Sequence, residues 1–153
     1  MPERHITVQR RMAASTDSVW ALFADFPNLA SHWSGVRTTR GIGDQTSGVG
    51  ARRRVELKPI GSMDETVTLW EDGRRIDTQN RPSASVPFKF AETSLTLEPD
   101  DNGTLATFDY RYTPRGGPLG RLTGPLIDKM LTATFTDMLT ATDGPPSGTG
   151  SER

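Results

Sequence analysis

The sequence predicts an α+β domain: a curved antiparallel sheet of about seven strands wrapped around one long C-terminal helix, with two short helices after the first strand. Three observations carry this. Residues 6–12, 51–57 and 104–112 alternate apolar and polar side chains, the period of a half-buried strand. Residues 119–142 instead repeat apolar side chains at spacings of three and four, the period of a helix with one buried stripe. Short turns join the strand-like segments, which antiparallel pairing permits and parallel pairing does not. One face of such a sheet must be covered, and only the long helix is large enough to cover it.

In the first strand, ITVQRRM (6–12), Ile6, Val8 and Met12 share a face, with Thr7, Gln9 and Arg11 on the other, and Arg10 interrupts the apolar side. STDSVWALFADFPNLASHW (15–33) then holds the densest apolar bulk in the chain. Ser15 suits a helix N-cap, and Asp17 complements the N-terminal end of the helix dipole. Val19, Phe23 and Phe26 fall on one helical face, with Trp20 beside them. Pro27 cannot continue that helix, so a second short one is expected over residues 28–33, capped by Asn28.

VRTTRGI (36–42) reads as a strand. GIGDQTSGVG (41–50) is glycine-rich but matches no phosphate cradle: Thr46 stands where the dinucleotide fingerprint needs glycine, and no Lys-Ser/Thr follows. It reads as a turn between strands. Further strands are expected over 51–57, 62–70, 74–79, 89–98 and 104–112, with Asn102-Gly103 marking a hairpin between the last two. PRGGP (114–118) breaks the sheet. The buried stripe of the long helix is assigned to Leu119, Leu122, Leu126, Met130 and Phe135 or its neighbours, and Pro125 either kinks that helix or marks its true start. Residues 1–143 form a single domain, and the composition of 144–153 is that of a disordered tail.

Composition narrows the function. The net charge of −1, from 18 basic and 19 acidic residues, gives nucleic acid no basic face to bind. No run of about 18 apolar residues could span a bilayer, and the N-terminal residues lack an apolar signal core, so a cytoplasmic protein without a transmembrane segment is expected. The absence of cysteine excludes disulfides, thiolate nucleophiles and cysteine-ligated zinc. His5 and His32 have no third ligand at a recognised spacing, and no G-x-S-x-G elbow occurs, so neither a metal nor a cofactor nor a catalytic triad is expected.

The order of strand, two short helices, six strands and a long helix resembles the helix-grip fold of the START-like superfamily (SRPBCC), in particular its polyketide cyclase/dehydratase-like members. The residues that carry the likeness are Ala13-Ala14-Ser15, Val19-Trp20, Asp25-Phe26 and Trp33, followed by GVGARRRVEL, ETVTLWEDGRRI, NGTLATFDYRY and the amphipathic last helix. The resemblance covers roughly residues 4–142. It implies that the sheet bends around the last helix and leaves a cavity between them, and that the aromatic bulk of residues 19–33 closes one end. Trp33 then becomes a candidate cavity wall.

Alternation selects the inward positions on that picture. Ala51, Arg53, Val55 and Leu57 share a face, as do Glu65, Val67 and Leu69, and as do Ala106, Phe108, Tyr110 and Tyr112. The candidate ligand-binding residues are therefore Trp33, Arg53, Val55, Glu65, Val67, Phe108, Tyr110, Leu126 and Met130, with Arg10 a further polar candidate. Such a lining suits a small hydrophobic or aromatic molecule bearing one or two oxygens. The resemblance makes that ligand polyketide- or lipid-like. It also leaves open an enzyme, a cyclase or dehydratase using Arg53, Glu65 or Tyr110 as acid–base groups. A third reading, a co-chaperone or ribosome-associated interaction module, needs an exposed patch that the outer strand faces do not offer.

Overall fold

A computed structural model describes residues 3–28, 35–58 and 60–143. Seven strands, β1 (Arg4–Met12), β2 (Val36–Ile42), β3 (Arg52–Leu57), β4 (Ser62–Glu71), β5 (Arg75–Pro82), β6 (Phe88–Asp100) and β7 (Gly103–Pro114), form one sheet in the order β1-β7-β6-β5-β4-β3-β2. Every neighbouring pair is antiparallel. Helix α1 (Thr16–Ala24) follows β1, and helix α2 (Gly120–Asp143) ends the described chain. This is the expected helix-grip architecture.

Local chemistry sets the elements. Ser15 caps α1 by accepting the Ser18 N–H at 3.2 Å, and Asp17 lies in the first turn. Val19 and Phe23 are the buried face of that helix. One turn of 3₁₀ helix over 26–28 contains Pro27. The expected second helix and Trp33 fall largely in 29–34, outside the described residues, as does the tail at 144–153.

The β6–β7 hairpin departs in detail from its expected signal. Asp100 pairs with Gly103, so Asp101 and Asn102 form the turn, and Asp101 takes the positive φ of 53°. Gly103 serves another need: a Cβ there would stand 2.0 Å from the Met12 carbonyl oxygen, where β1 crosses the end of the hairpin. The glycine is demanded by close backbone approach rather than by the turn.

Register shifts interrupt the pairing at Val36/Thr38, Val67/Leu69 and Phe88/Ala91. Such bulges bend a strand and sharpen its twist, which lets the sheet curl around α2. The shift in β4 also corrects the expected parity. Beyond Val67 it is Trp70, not Leu69, that packs on the core, edge-on to Trp20 at 5.3 Å between ring centres.

The long helix requires a larger correction. Its buried stripe is Ile127, Leu131, Met138 and Leu139, with Phe135 partly buried between them. Leu119, Leu122 and Leu126 are 65, 78 and 71% exposed and form a ladder on the opposite side. Pro125 lies within α2 and does not start it, leaving one backbone carbonyl of the first turns without its helical partner.

Two carboxylates tie α2 to the sheet. Asp143 receives Arg10 Nη2 and the Ala13 N–H, each at 3.1 Å. Asp128 receives Arg4 Nε and Nη2, the latter at 2.6 Å, together with the Tyr112 hydroxyl. Arg10 therefore holds the end of α2 and is not a cavity residue. Hydrogen bonding from Arg4 keeps the Asp128 carboxyl below the usual carboxylate range, against the opposing effect of its burial.

Candidate functional site

Between the concave face of the sheet and α2 lies a cavity of about 300 Å³. Exposure separates its mouth from its interior. Lys58, Ile60, Ser85, Pro87, Met130 and Thr134 line it and are exposed, so they mark the opening between the β3–β4 turn, the β5–β6 loop and the middle of α2. The interior wall is mostly buried apolar surface. Phe108 and Tyr110 stack at 6.2 Å, and Phe135 of α2 closes on both, at 4.6 and 4.7 Å between ring centres. Ile76 and Leu95 extend the same wall from β5 and β6.

Strand alternation brings Arg53 of β3 and Glu65 of β4 into direct register across the β3–β4 pair. Both line the cavity, with side chains 7 and 14% exposed. Arg53 Nε and Nη2 reach the same carboxylate oxygen, Glu65 Oε1, at 2.7 and 2.6 Å. Arg53 Nη1 donates to the Phe26 carbonyl at 2.9 Å, and its guanidinium lies 4.0 Å from the centre of the Phe26 ring. Phe26 thus supports the ion pair through its backbone and its ring together. Glu65 Oε2 has no hydrogen-bond donor among the described residues.

Tyr110 supplies the next polar atom. The acceptor its hydroxyl finds among the described residues is the Met63 sulfur, 3.9 Å away and a weak one. Burial pushes its pKa far above the ordinary phenol value, the negative charge of Glu65 pushes it further, and the Asn80 amide opposes them. The hydroxyl therefore remains a donor throughout the physiological range. Asn80 is fully buried behind this wall; its Oδ1 accepts the Thr78 hydroxyl at 2.7 Å, and its NH2 group has no partner among the described residues.

Of the residues expected to face a ligand, Arg53, Val55, Glu65, Phe108, Tyr110 and Met130 line the cavity. Two do not. Leu126 points to solvent, and Val67, 1% exposed, is packed in the core away from the opening. Trp33 is outside the described residues. Sequence reasoning passed over Ile76, Thr78 and Asn80, although a period of two along β5 places all three on one face. It also gave His5 no partner; across the β1–β7 pair the ring meets Asp109 at 3.1 Å, on the half-exposed outer face.

Among the described residues no cluster of three His, Cys, Asp or Glu is placed to hold a metal ion, and no helix is long and apolar enough to cross a membrane.

Comparison with known proteins was made on sequence and on structure. The family described as "Polyketide cyclase / dehydrase and lipid transport" matches residues 3–142. No curated protein sequence matches. A crystal structure of a Thermus thermophilus protein superposes with a TM-score of 0.76 at 17% identity, covering 92% of this chain and 94% of that one. A START superfamily protein from Mycobacterium smegmatis gives 0.75 at 15% identity, with coverage of 92 and 94%. Truncated norcoclaurine synthase from Thalictrum flavum gives 0.70 at 17% identity, with coverage of 93 and 92%. At these identities the structures share the fold alone.

Proposed function

We propose, for a chain that belongs to the polyketide cyclase/dehydrase and lipid transport family of the START-like superfamily, that it binds a small hydrophobic or aromatic, polyketide- or lipid-like molecule in the cavity under α2. The observation that carries this is the cavity itself: about 300 Å³ of space lined by packed aromatic rings and aliphatic side chains, with Arg53, Glu65 and Tyr110 on the same wall. A wall of that kind gives affinity through its apolar surface and orientation through a few polar atoms. Close packing normally leaves no such void in an interior, so an opening of this size in a chain of 153 residues supports a place for a guest.

Native mass spectrometry of protein purified from its own host tests the reading. A retained small molecule supports it. A clean apo mass, with no uptake of neutral aromatic probes such as naphthalene or Nile red, would refute it.

Two further readings each rest on one observation. Catalysis, as a cyclase or dehydratase, would draw on Glu65 and Tyr110: a carboxylate oxygen without a donor among the described residues and a protonated hydroxyl face the same space. Arg53 is less suited to that role, because its guanidinium is already held by Glu65 and the Phe26 carbonyl. Turnover lost in Glu65→Gln with binding retained would establish the enzyme reading. The interaction-module reading would draw on the outward ladder of Leu119, Leu122 and Leu126. A macromolecule retained in the native mass spectrum, and released by Leu122→Gln/Leu126→Gln, would favour it.

A further inference from the structure

The polar wall of the cavity has an arrangement of charge that discriminates between head groups. Arg53, the one buried cation on the lining, is already neutralised: two of its nitrogens hold Glu65 Oε1, a third holds the Phe26 carbonyl, and Phe26 covers one face. Lys58 is the other cation on the lining, but it stands at the exposed mouth. What the interior offers a guest is different. Among the described residues, Glu65 Oε2 is an acceptor without a donor, and the Tyr110 hydroxyl is a donor whose acceptor is a thioether sulfur. Behind them, the Thr78 hydroxyl fixes the Asn80 amide, which is off the lining, by its oxygen.

Among the described residues, an anionic head group finds no free cation in the interior of the cavity. A carboxylate or phosphate placed against this wall would bring a second negative charge beside Glu65 in a low-dielectric space, and like charges in such a site repel strongly. A cation would be matched by a carboxylate that Arg53 already partly satisfies. A neutral guest fits without leaving an unpaired charge. Its hydroxyl donates to Glu65 Oε2, and its carbonyl or ether oxygen accepts from Tyr110.

We infer that the site selects an uncharged oxygenated ring compound, a phenol or hydroxy-ketone, and rejects carboxylates, free fatty acids included. This rests on the cavity being a ligand site, and it narrows that reading to one class of head group.

Four probes share one ring system: naphthalene, β-naphthol, methyl β-naphthyl ketone and β-naphthoate. Their affinities for the wild-type protein are measured at neutral pH by titration calorimetry and by displacement of Nile red, itself uncharged. β-Naphthol and the ketone should each bind at least about tenfold more tightly than β-naphthoate, a difference of about 1.4 kcal/mol. Tyr110→Phe should weaken the ketone several-fold and leave naphthalene unchanged. Arg53→Met/Glu65→Leu, which removes the ion pair whole, should bring β-naphthol down to the affinity of naphthalene. Glu65→Gln, which keeps the shape without the charge, should narrow the gap between naphthol and naphthoate. Naphthoate binding as tightly as naphthol to the wild type, or a naphthol preference that survives both Glu65 variants, would overturn the head-group inference and leave the cavity reading standing. Failure of all four probes and Nile red to bind would remove the cavity reading itself.

Discussion

Replacing the Arg53–Glu65 pair separates a structural contribution from a functional one. Each partner is nearly buried, the contacts are 2.6 and 2.7 Å, and neither charge has another counter-ion among the contacts described. Removing one partner of a buried pair typically costs about 3–5 kcal/mol, because the other charge is left uncompensated. The two single variants should not be equal. Arg53→Met strands the Glu65 carboxylate and also frees the buried Phe26 carbonyl, which adds about 1–3 kcal/mol for an unsatisfied group. Glu65→Leu leaves Arg53 its bond to Phe26 and the ring beneath it, so its cost belongs at the lower end of the range. For a domain near 150 residues each kcal/mol moves Tm by about 2–4 °C, so Glu65→Leu should melt roughly 6–20 °C lower and Arg53→Met roughly 8–32 °C lower. The double variant should recover most of that loss, since an apolar pair of similar volume is often neutral or stabilising. The assay is a double-mutant cycle by chemical denaturation, with thermal melts alongside. Single variants that each cost under about 1 kcal/mol and simply add would refute the reasoning, for then the pair is hydrated and contributes little.

Other outcomes follow from the same contacts. Leu122→Gln and Leu126→Gln should leave Tm within about 1–2 °C of wild type, because both side chains are mostly in solvent, whereas Leu131→Ala should cost about 2–5 kcal/mol; melts of the three variants check this. Gly103→Ala should destabilise by about 1–3 kcal/mol or more, because a Cβ 2.0 Å from the Met12 oxygen forces β1 off the hairpin, and loss of amide protection along β1 would report it. Asp128 has a folded pKa held below its ordinary value near 3.8, so its contribution to stability is full above that value and is lost as pH falls through the folded pKa. Melts at decreasing pH should therefore show an acid loss in the wild type that Asp128→Asn lacks, the variant being less stable at neutral pH from the outset.

Period-two alternation made the strands legible and placed Arg53, Glu65, Phe108 and Tyr110 on the concave face, because a strand without a bulge has no freedom to turn its side chains elsewhere. The parity of β4 failed beyond Val67, where the bulge inserts a residue and brings Trp70 inward. No local composition marks that bulge; it answers to the curvature of the whole sheet. The long helix misled for a different reason. Its first half carries two apolar stripes at helical spacing, Leu119-Leu122-Leu126-Met130 and Ile127-Leu131-Phe135, and periodicity alone does not rank them. The discriminating signal lay further along: the second stripe continues into Met138 and Leu139, while the first runs into Asp137. The free oxygen of Glu65 and the locked amide of Asn80 lie beyond any pattern in the chain, since each depends on a partner chosen in three dimensions.

The two carboxylate ties of α2 have a mechanical consequence. Asp128 and Asp143 are fastened to β1 and its surroundings, through Arg4 near one end of that strand and through Arg10 and the residues just past its other end. Along the span between them, every side-chain hydrogen bond described goes back to the helix itself: Thr134, Thr136 and Thr140 each bond the carbonyl four residues earlier, and Thr142 bonds those three and four residues earlier. Such back-bonding loosens and bends a helix. The span is also the part that carries Met130, Leu131, Thr134 and Phe135 over the cavity. The helix is thus a beam pinned at two points on one edge, soft in the middle and held there, among the described residues, by apolar contact. On the proposed reading, such a beam could bow to widen the mouth for a guest without a hinge and without breaking either tie, and the depth of the bow would then set the thickness of molecule admitted.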